Sequence, residues 1–105
     1  MSKAEKLKAF FDNVDEDKKQ FALDTVDEYI FFLERIEKLR ELPFIRVDKK
    51  NPERQMLTPA AKLIREYSQA VDAKRKTLLM ILYRVDNSAA DELMNVLKQF
   101  EVETR

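Results

Sequence analysis

The chain has 105 residues, of which 20 are Lys or Arg and 20 are Asp or Glu, so its formal net charge is zero. It contains no Gly, His or Cys. The absence of His and Cys excludes disulfides, the usual zinc sites and nucleophilic catalysis by thiol or imidazole groups, and the absence of Gly excludes a phosphate-binding P-loop. We therefore expect one domain over residues 1–105, with no catalytic residues and no enzymatic activity.

The composition also predicts an all-α fold. The chain is 45% hydrophobic and 38% charged, which is typical of a folded protein, and only three Pro residues accompany the lack of Gly. The longest apolar stretch, residues 78–83, is far shorter than the roughly 20 residues of a membrane span, and no signal sequence is visible. We expect a cytoplasmic protein that does not contact a membrane.

Apolar residues at spacings of three and four predict the first two helices, over about residues 3–14 and 17–42. Asp15, Glu16 and Asp17 favour the start of the second helix because negative charge suits the positive end of the helix dipole. These residues are also the densest group of carboxylates in the chain, and a metal ion with oxygen ligands would need such a group. Their place at a helix start explains them sufficiently, so we expect no metal site and no cofactor.

A connector of about 15 residues, 43–57, begins at Pro43 and has no helical period. It is either functional or packs in extended form, with a short strand possible through Phe44, Ile45 and Val47. Thr58 as N-cap and Pro59 at the first position predict a third helix over 59–85. A capping box formed by Ser88 and Asp91 predicts a fourth helix over 89–101.

The second helix carries apolar residues over an arc of roughly 200°, whereas one neighbouring helix needs only about 100°. We expect the two long helices to form an antiparallel hairpin with short flanking helices, and this hairpin to pair with copies of itself in a helical oligomer. The alternative is that the flanking helices cover the excess and Phe31 is a single exposed aromatic. Lys74 is expected to reach solvent or to pair with an acidic residue of the second helix. The candidate interface residues are Phe31, Phe32, Leu79, Met80 and Tyr83.

Charge is unevenly distributed along the chain. Residues 1–45 carry 8 basic and 11 acidic side chains, residues 46–76 carry 9 and 4, and residues 77–105 carry 3 and 5. The basic segment includes the connector and one face of the third helix, which is suited to a phosphate backbone. A solvated helix face of mixed charge is the alternative interpretation.

Four segments around the connector resemble a known group of proteins. They are 42–47 (LPFIRV), 50–55 (KNPERQ), 58–62 (TPAAK) and 67–69 (YSQ). Together they resemble small all-α proteins encoded by phages and prophages of Gram-positive bacteria, several of which are assigned as small terminase subunits.

This resemblance implies a non-catalytic homo-oligomer that binds viral double-stranded DNA in the host cytoplasm and delivers it to a large terminase ATPase. Many small terminases carry an N-terminal helix-turn-helix, and no such pattern is legible here, so we do not expect sequence-specific recognition. The alternative function is a helical adaptor that binds another protein's helix and no nucleic acid. By position, the candidate DNA-binding residues are Arg46, Lys49, Lys50, Arg54, Lys62 and Arg65.

Overall fold

The computed structural model describes residues 2–42, 45–47 and 55–104. Helices dominate these residues, which confirms the predicted all-α class. No helix in the described ranges is long and apolar enough to cross a bilayer. In chain order the elements are α1 Lys3–Ala9, α2 Glu16–Leu39, β1 Ile45–Val47, β2 Gln55–Leu57, α3 Pro59–Tyr83 and α4 Asn87–Thr104.

The first helix is shorter than the apolar spacing predicts. Ser2 caps it by accepting a hydrogen bond from the Glu5 backbone N–H at 3.1 Å, and the helix ends at Ala9. Tight turns follow, in which the N–H groups of Phe11 and Val14 each bond to the carbonyl three residues earlier. Both of these side chains are buried, so their spacing reflects burial in a turn rather than a continued helix.

The acidic residues before α2 lie where the sequence predicts them. Asp15 occupies the N-cap position, and Glu16 and Asp17 lie in the first turn of the helix. The helix ends at Leu39 rather than Leu42, and residues 40–42 form a turn. The favourable placement of these carboxylates at the helix dipole gives them a structural role.

A two-stranded antiparallel sheet lies within the connector. Its register pairs Ile45 with Leu57, Arg46 with Met56, and Val47 with Gln55. The predicted short strand is therefore present at Ile45–Val47, while Phe44 lies outside the described residues. The sheet brings the two sides of the connector together between α2 and α3.

The cap of α3 is confirmed, and the cap of α4 is not the predicted one. Thr58 accepts a hydrogen bond from the Ala61 N–H at 3.3 Å, with Pro59 in the first turn. At α4 the carboxylate of Asp86 accepts from the N–H groups of Ser88 at 2.9 Å and Ala89 at 3.2 Å. The capping box predicted at Ser88 is wrong, because Asp86 already satisfies the N–H groups of the first turn and Ser88 lies inside the helix.

Contacts between α2 and α3 run in opposite order along the two helices. The Phe32 ring centre lies 5.6 Å from that of Tyr67, and the Lys74 Nζ atom lies 2.6 Å from Glu28 Oε2. Later residues of α2 therefore lie beside earlier residues of α3. The Lys74 contact also confirms the expected pairing with an acidic residue of the second helix.

The flanking helices complete one hydrophobic core. Salt bridges fasten α1 to its neighbours, from Lys8 to Asp27 at 2.9 Å and from Lys3 to Glu103 at 3.4 Å. All four helices contribute apolar side chains to this core, so it is shared by the whole bundle. The core residues are Leu7, Phe11, Val14, Ala22, Val26, Tyr29, Leu33, Ile36, Val71, Leu78, Leu82, Ala90, Leu93, Leu97 and Phe100.

The molecule is elongated, with extents of 60 × 22 × 21 Å. The last helical residue of α4, Thr104, lines a small cleft with Ile36 and Ser68. Beyond that level α2 and α3 continue toward the connector, and Ala60 is the one buried residue described there. We call residues 37–70, between Ile36 and Val71, the connector end, and the other described residues the body.

Candidate functional site

A buried ionic network joins three helices within the body. The carboxylate of Glu101, a residue only 8% exposed, accepts a hydrogen bond from the Tyr29 hydroxyl at 2.9 Å. The guanidinium group of Arg75 donates to its other oxygen and also forms a salt bridge with Asp72 at 2.9 Å. Charge-assisted hydrogen bonds of this kind compensate a buried carboxylate and fix α4 against α2 and α3.

The network has the geometry of a structural clamp between α2, α3 and α4. Tyr29 bonds to Oε2 of Glu101 and Arg75 bonds to Oε1, so both carboxylate oxygens already accept a hydrogen bond. No group of three or more Asp or Glu side chains suited to a metal ion occurs in the ranges that the structure describes.

The connector end carries an excess of positive charge. Residues 37–70 contain eight Lys or Arg and five Asp or Glu, whereas the rest of the chain contains twelve and fifteen. Four of the eight have described side chains, and all four are exposed: Lys38, Arg40, Lys62 and Arg65. None of these four forms a salt bridge with another described residue. Their charges are therefore available to an anionic ligand.

The predicted DNA-binding residues fall into three groups in the structure. Lys62 and Arg65 lie exposed in the first two turns of α3. Arg46 lies in β1, where the structure describes the backbone. The remaining three, Lys49, Lys50 and Arg54, lie outside the described residues.

The fold places two further cations at the connector end that the three-segment charge count did not assign to it. Lys38 and Arg40 belong to the net acidic segment 1–45, yet the reverse order of α2 and α3 places them at the connector end. Lys38 lines a surface depression together with Leu63 of α3. Lys38 and Arg40 could have been identified from the sequence by counting the charges at each end of the predicted hairpin instead of in each segment.

Two basic residues of the segment 46–76 are occupied inside the body. Lys74 pairs with Glu28, and Arg75 pairs with Asp72 and Glu101. A cation already held by a carboxylate is a poor ligand for phosphate, because the existing salt bridge must first be broken. The connector end therefore differs from the body in its net positive charge, since exposed cations without a salt bridge to a described residue, such as Lys6, Lys76 and Lys98, also occur in the body.

The body has an exposed apolar depression between the start of α2 and the end of α3. Phe21 and Met80 are each 58% exposed, and Ile81 and Thr77 line the surface between them. An apolar surface of this kind on a small protein commonly marks an interaction site.

The five predicted interface residues lie in different surroundings. Phe31 is 51% exposed, with its ring 5.5 Å from that of Phe32 and the Arg35 guanidinium 5.7 Å above it. Phe32 packs on Tyr67 and is partly buried.

The other three interface candidates lie on α3. Leu79 is partly buried against the core, and Met80 lines the apolar depression. The Tyr83 hydroxyl donates a hydrogen bond to the Asp91 carboxylate at 3.0 Å, and this bond raises the pKa of Tyr83. Tyr83 therefore already has a partner within the chain, on α4.

Comparisons with protein-family models, with curated proteins and with solved structures find no match to this chain.

Proposed function

We propose that the chain is a non-catalytic, self-associating DNA-packaging accessory of phage type, similar in role to a small terminase subunit, and that it binds double-stranded DNA at its connector end. The observation that carries the proposal is the group of four exposed basic side chains, Lys38, Arg40, Lys62 and Arg65, that make no salt bridge with other described residues. The connector between them supplies four more Lys or Arg in the sequence.

Phosphate contact explains why these charges lie together at one end. Each Lys or Arg that neutralises a phosphate releases condensed counterions, which provides affinity without sequence recognition. The net negative body is repelled by DNA and orients the connector end toward it. The resemblance around residues 42–69 supports the same surface, and a large terminase ATPase is the expected recipient of the bound DNA.

Self-association makes a weak individual site effective. We propose an antiparallel hairpin of the two long helices with flanking helices, assembled into a helical oligomer that presents several connector ends. Linked sites bind one DNA molecule with an effective concentration that a single weak site lacks. The affinity for DNA should therefore be highest at protein concentrations at which the oligomer is assembled.

A pair of double variants tests the proposed surface. In Lys62→Glu/Arg65→Glu the charge of the connector end is reversed, and in the control Lys6→Glu/Lys98→Glu the same charge change is made at exposed positions of the body. We expect the first variant to bind a labelled DNA duplex at least about tenfold more weakly at low salt, by fluorescence anisotropy, and the control to change less than about threefold. Equal losses in both variants would contradict the location of the site.

A protein-binding adaptor is the second candidate function, and exposed apolar side chains of the body favour it. Phe21 and Met80 are each 58% exposed, and Val102 of α4 is 72% exposed. Such side chains are suited to receive an apolar helix from another protein. If the assembled protein binds no DNA at low salt, the adaptor function replaces the packaging function.

A further inference from the structure

Seven exposed residues follow one edge of α2 and the turn after it, at alternating spacings of three and four. Apolar residues lie at the start, middle and end of this edge, where Phe21 is 58%, Phe31 51% and Leu42 50% exposed. Acidic residues occupy the positions between the first two, and basic residues those between the last two. The α2 edge consists of Phe21, Asp24, Glu28, Phe31, Arg35, Lys38 and Leu42.

The spacing of the α2 edge is that of a helix–helix seam. Alternating steps of three and four average 3.5 residues, which keeps a row of side chains facing one partner helix along its length. The ring of Phe31 interacts with the Phe32 ring and the Arg35 guanidinium, both in α2 itself. Asp24 accepts a hydrogen bond from Gln20 through one oxygen at 2.9 Å, which leaves its second oxygen for another donor. Glu28 forms a salt bridge with Lys74 of α3 through Oε2, and all seven residues of the edge remain exposed within one copy of the chain.

We propose that the α2 edge is the contact between two copies of the chain, which pack antiparallel about a twofold axis that passes near Phe31 and runs perpendicular to the helix. This proposal deepens the self-association part of the proposed function by naming its interface. The axis places Asp24 of one copy at the level of the partner's Lys38, since both lie seven residues from Phe31. By the same rotation Glu28 lies near the partner's Arg35. In the dimer Lys38 therefore belongs to the interface, and Arg40, Lys62 and Arg65 are the described cations of the connector end that remain for DNA.

The charge order selects this arrangement over the others. In a parallel pair each acidic position would face its own copy, and like charges at close range oppose association. The antiparallel pair instead superposes the acidic half of each edge on the basic half of the other, and it brings Phe21 to the level of the partner's Leu42. A single self-complementary patch is the requirement for a closed twofold dimer, so a second copy is the occupant that the edge fits. The two connector ends then point in opposite directions along the dimer.

Single cysteine variants test the geometry directly, because the chain has no native Cys. Phe31→Cys lies at the proposed axis and should form a disulfide-linked dimer on mild oxidation. Lys38→Cys is the control, since two such residues would lie about 20 Å apart along the antiparallel pair. A mixture of Asp24→Cys and Lys38→Cys chains should give the mixed dimer. Self-crosslinking of Lys38→Cys as fast as that of Phe31→Cys would overturn the antiparallel arrangement.

A charge swap provides the energetic test. Asp24→Lys and Lys38→Asp each place like charges opposite one another twice per dimer, and we expect about tenfold weaker self-association by sedimentation equilibrium at low salt. The double variant restores opposite charges and should recover to within about threefold of the original. Glu92→Lys, an exposed change on α4, serves as the control for net charge.

The outcomes separate the dimer from DNA binding. A double variant as weakly associated as the single variants, or an original chain that sediments as a monomer at micromolar concentration, would overturn the proposed interface. Both measurements are made without DNA, and Lys62→Glu/Arg65→Glu should leave the dimer unchanged because neither residue belongs to the α2 edge. Loss of DNA binding with an intact dimer would therefore reject only the proposed function.

Discussion

The body and the connector end are built from the same two helices and differ in what covers them. In the body, α1 and α4 pack on α2 and α3, so that Tyr29 and Leu78 are completely buried. At the connector end these neighbours stop, and Leu42 and Leu63 are 50% and 36% exposed. The comparison shows that the buried core lies where four helices meet, while the described side chains of the connector end are mostly exposed or partly buried.

The treatment of charge differs in the same way. In the body Arg75 and Lys74 are held by carboxylates, and the buried Glu101 accepts hydrogen bonds from two other helices. At the connector end Lys62 and Arg65 have no such partner among the described residues. Some cations of the body are therefore held by the fold, whereas others, such as Lys6 and Lys98, are exposed without a carboxylate partner among the described residues. The two regions differ in net charge, because residues 37–70 contain eight Lys or Arg and five Asp or Glu and the rest of the chain contains twelve and fifteen.

The largest expected effect comes from truncating one leucine in each region. Leu78→Ala leaves a cavity at a fully buried position, and we expect a loss of about 2–5 kcal/mol in the free energy of unfolding. Leu63→Ala at the connector end should cost less than about 1 kcal/mol, because the side chain is already 36% exposed. Urea denaturation followed by circular dichroism measures both. Equal losses would show that the connector end is as tightly packed as the body.

The buried network gives the next effect. Arg75→Met leaves Glu101 buried without its cation, and we expect a loss of about 3 kcal/mol, since an uncompensated buried charge is costly. Arg75→Met/Glu101→Leu removes both charges and should recover a large part of that loss. The same denaturation experiment compares the two variants. A double variant that is less stable than the single one would contradict the clamp role.

A smaller effect is expected at the cap where the connector meets α3. Thr58→Ala removes the hydroxyl that accepts from the Ala61 N–H, and such a loss costs about 1 kcal/mol. Thr77→Ala is the matched control inside α3, where the hydroxyl bonds to the Ala73 carbonyl and no cap is lost. Thermal melting distinguishes the two. Equal destabilisation would mean that the cap does not set the start of α3.

The smallest effect is confined to alkaline pH. The hydrogen bond to Asp91 raises the pKa of Tyr83 above its ordinary value of 10.0, so the folded chain keeps this proton to higher pH than the unfolded chain. The associated stabilisation is complete below pH 10.0 and is lost as the pH rises through the folded pKa. Asp91→Asn should lower the pKa of Tyr83, as measured by the ultraviolet absorbance of tyrosinate. With Tyr83→Phe in the background, Asp91→Asn should leave the titration of the other tyrosines unchanged.

Local signals predicted most of the helical structure. Thr58 with Pro59 marked the start of α3, and the carboxylates near Asp15 marked the start of α2. At α4 the competing cap was two residues away from Ser88 in the sequence, and Asp86 proved to be the residue used. The cap is the side chain whose geometry lets it accept from the first N–H groups of the helix. The sequence pattern alone does not distinguish two nearby candidates.

The sequence patterns did not predict contacts between residues far apart in the chain. The Tyr29 hydroxyl and the Glu101 carboxylate are 72 residues apart in the chain, and nothing local indicates that they meet. Lys74 was predictable because a cation inside an apolar stripe requires a nearby partner. The position of Lys38 beside α3 depends on the relative direction of α2 and α3, which counting charge segment by segment does not contain.

The salt dependence of DNA binding tests the central claim most directly. Each phosphate contact contributes close to one unit to the slope of log affinity against log salt concentration. If Lys62 and Arg65 contact phosphates, Lys62→Glu/Arg65→Glu should reduce that slope by about two, while Lys6→Glu/Lys98→Glu in the body leaves it unchanged. The same slope in all three proteins would contradict a DNA-binding surface at the connector end.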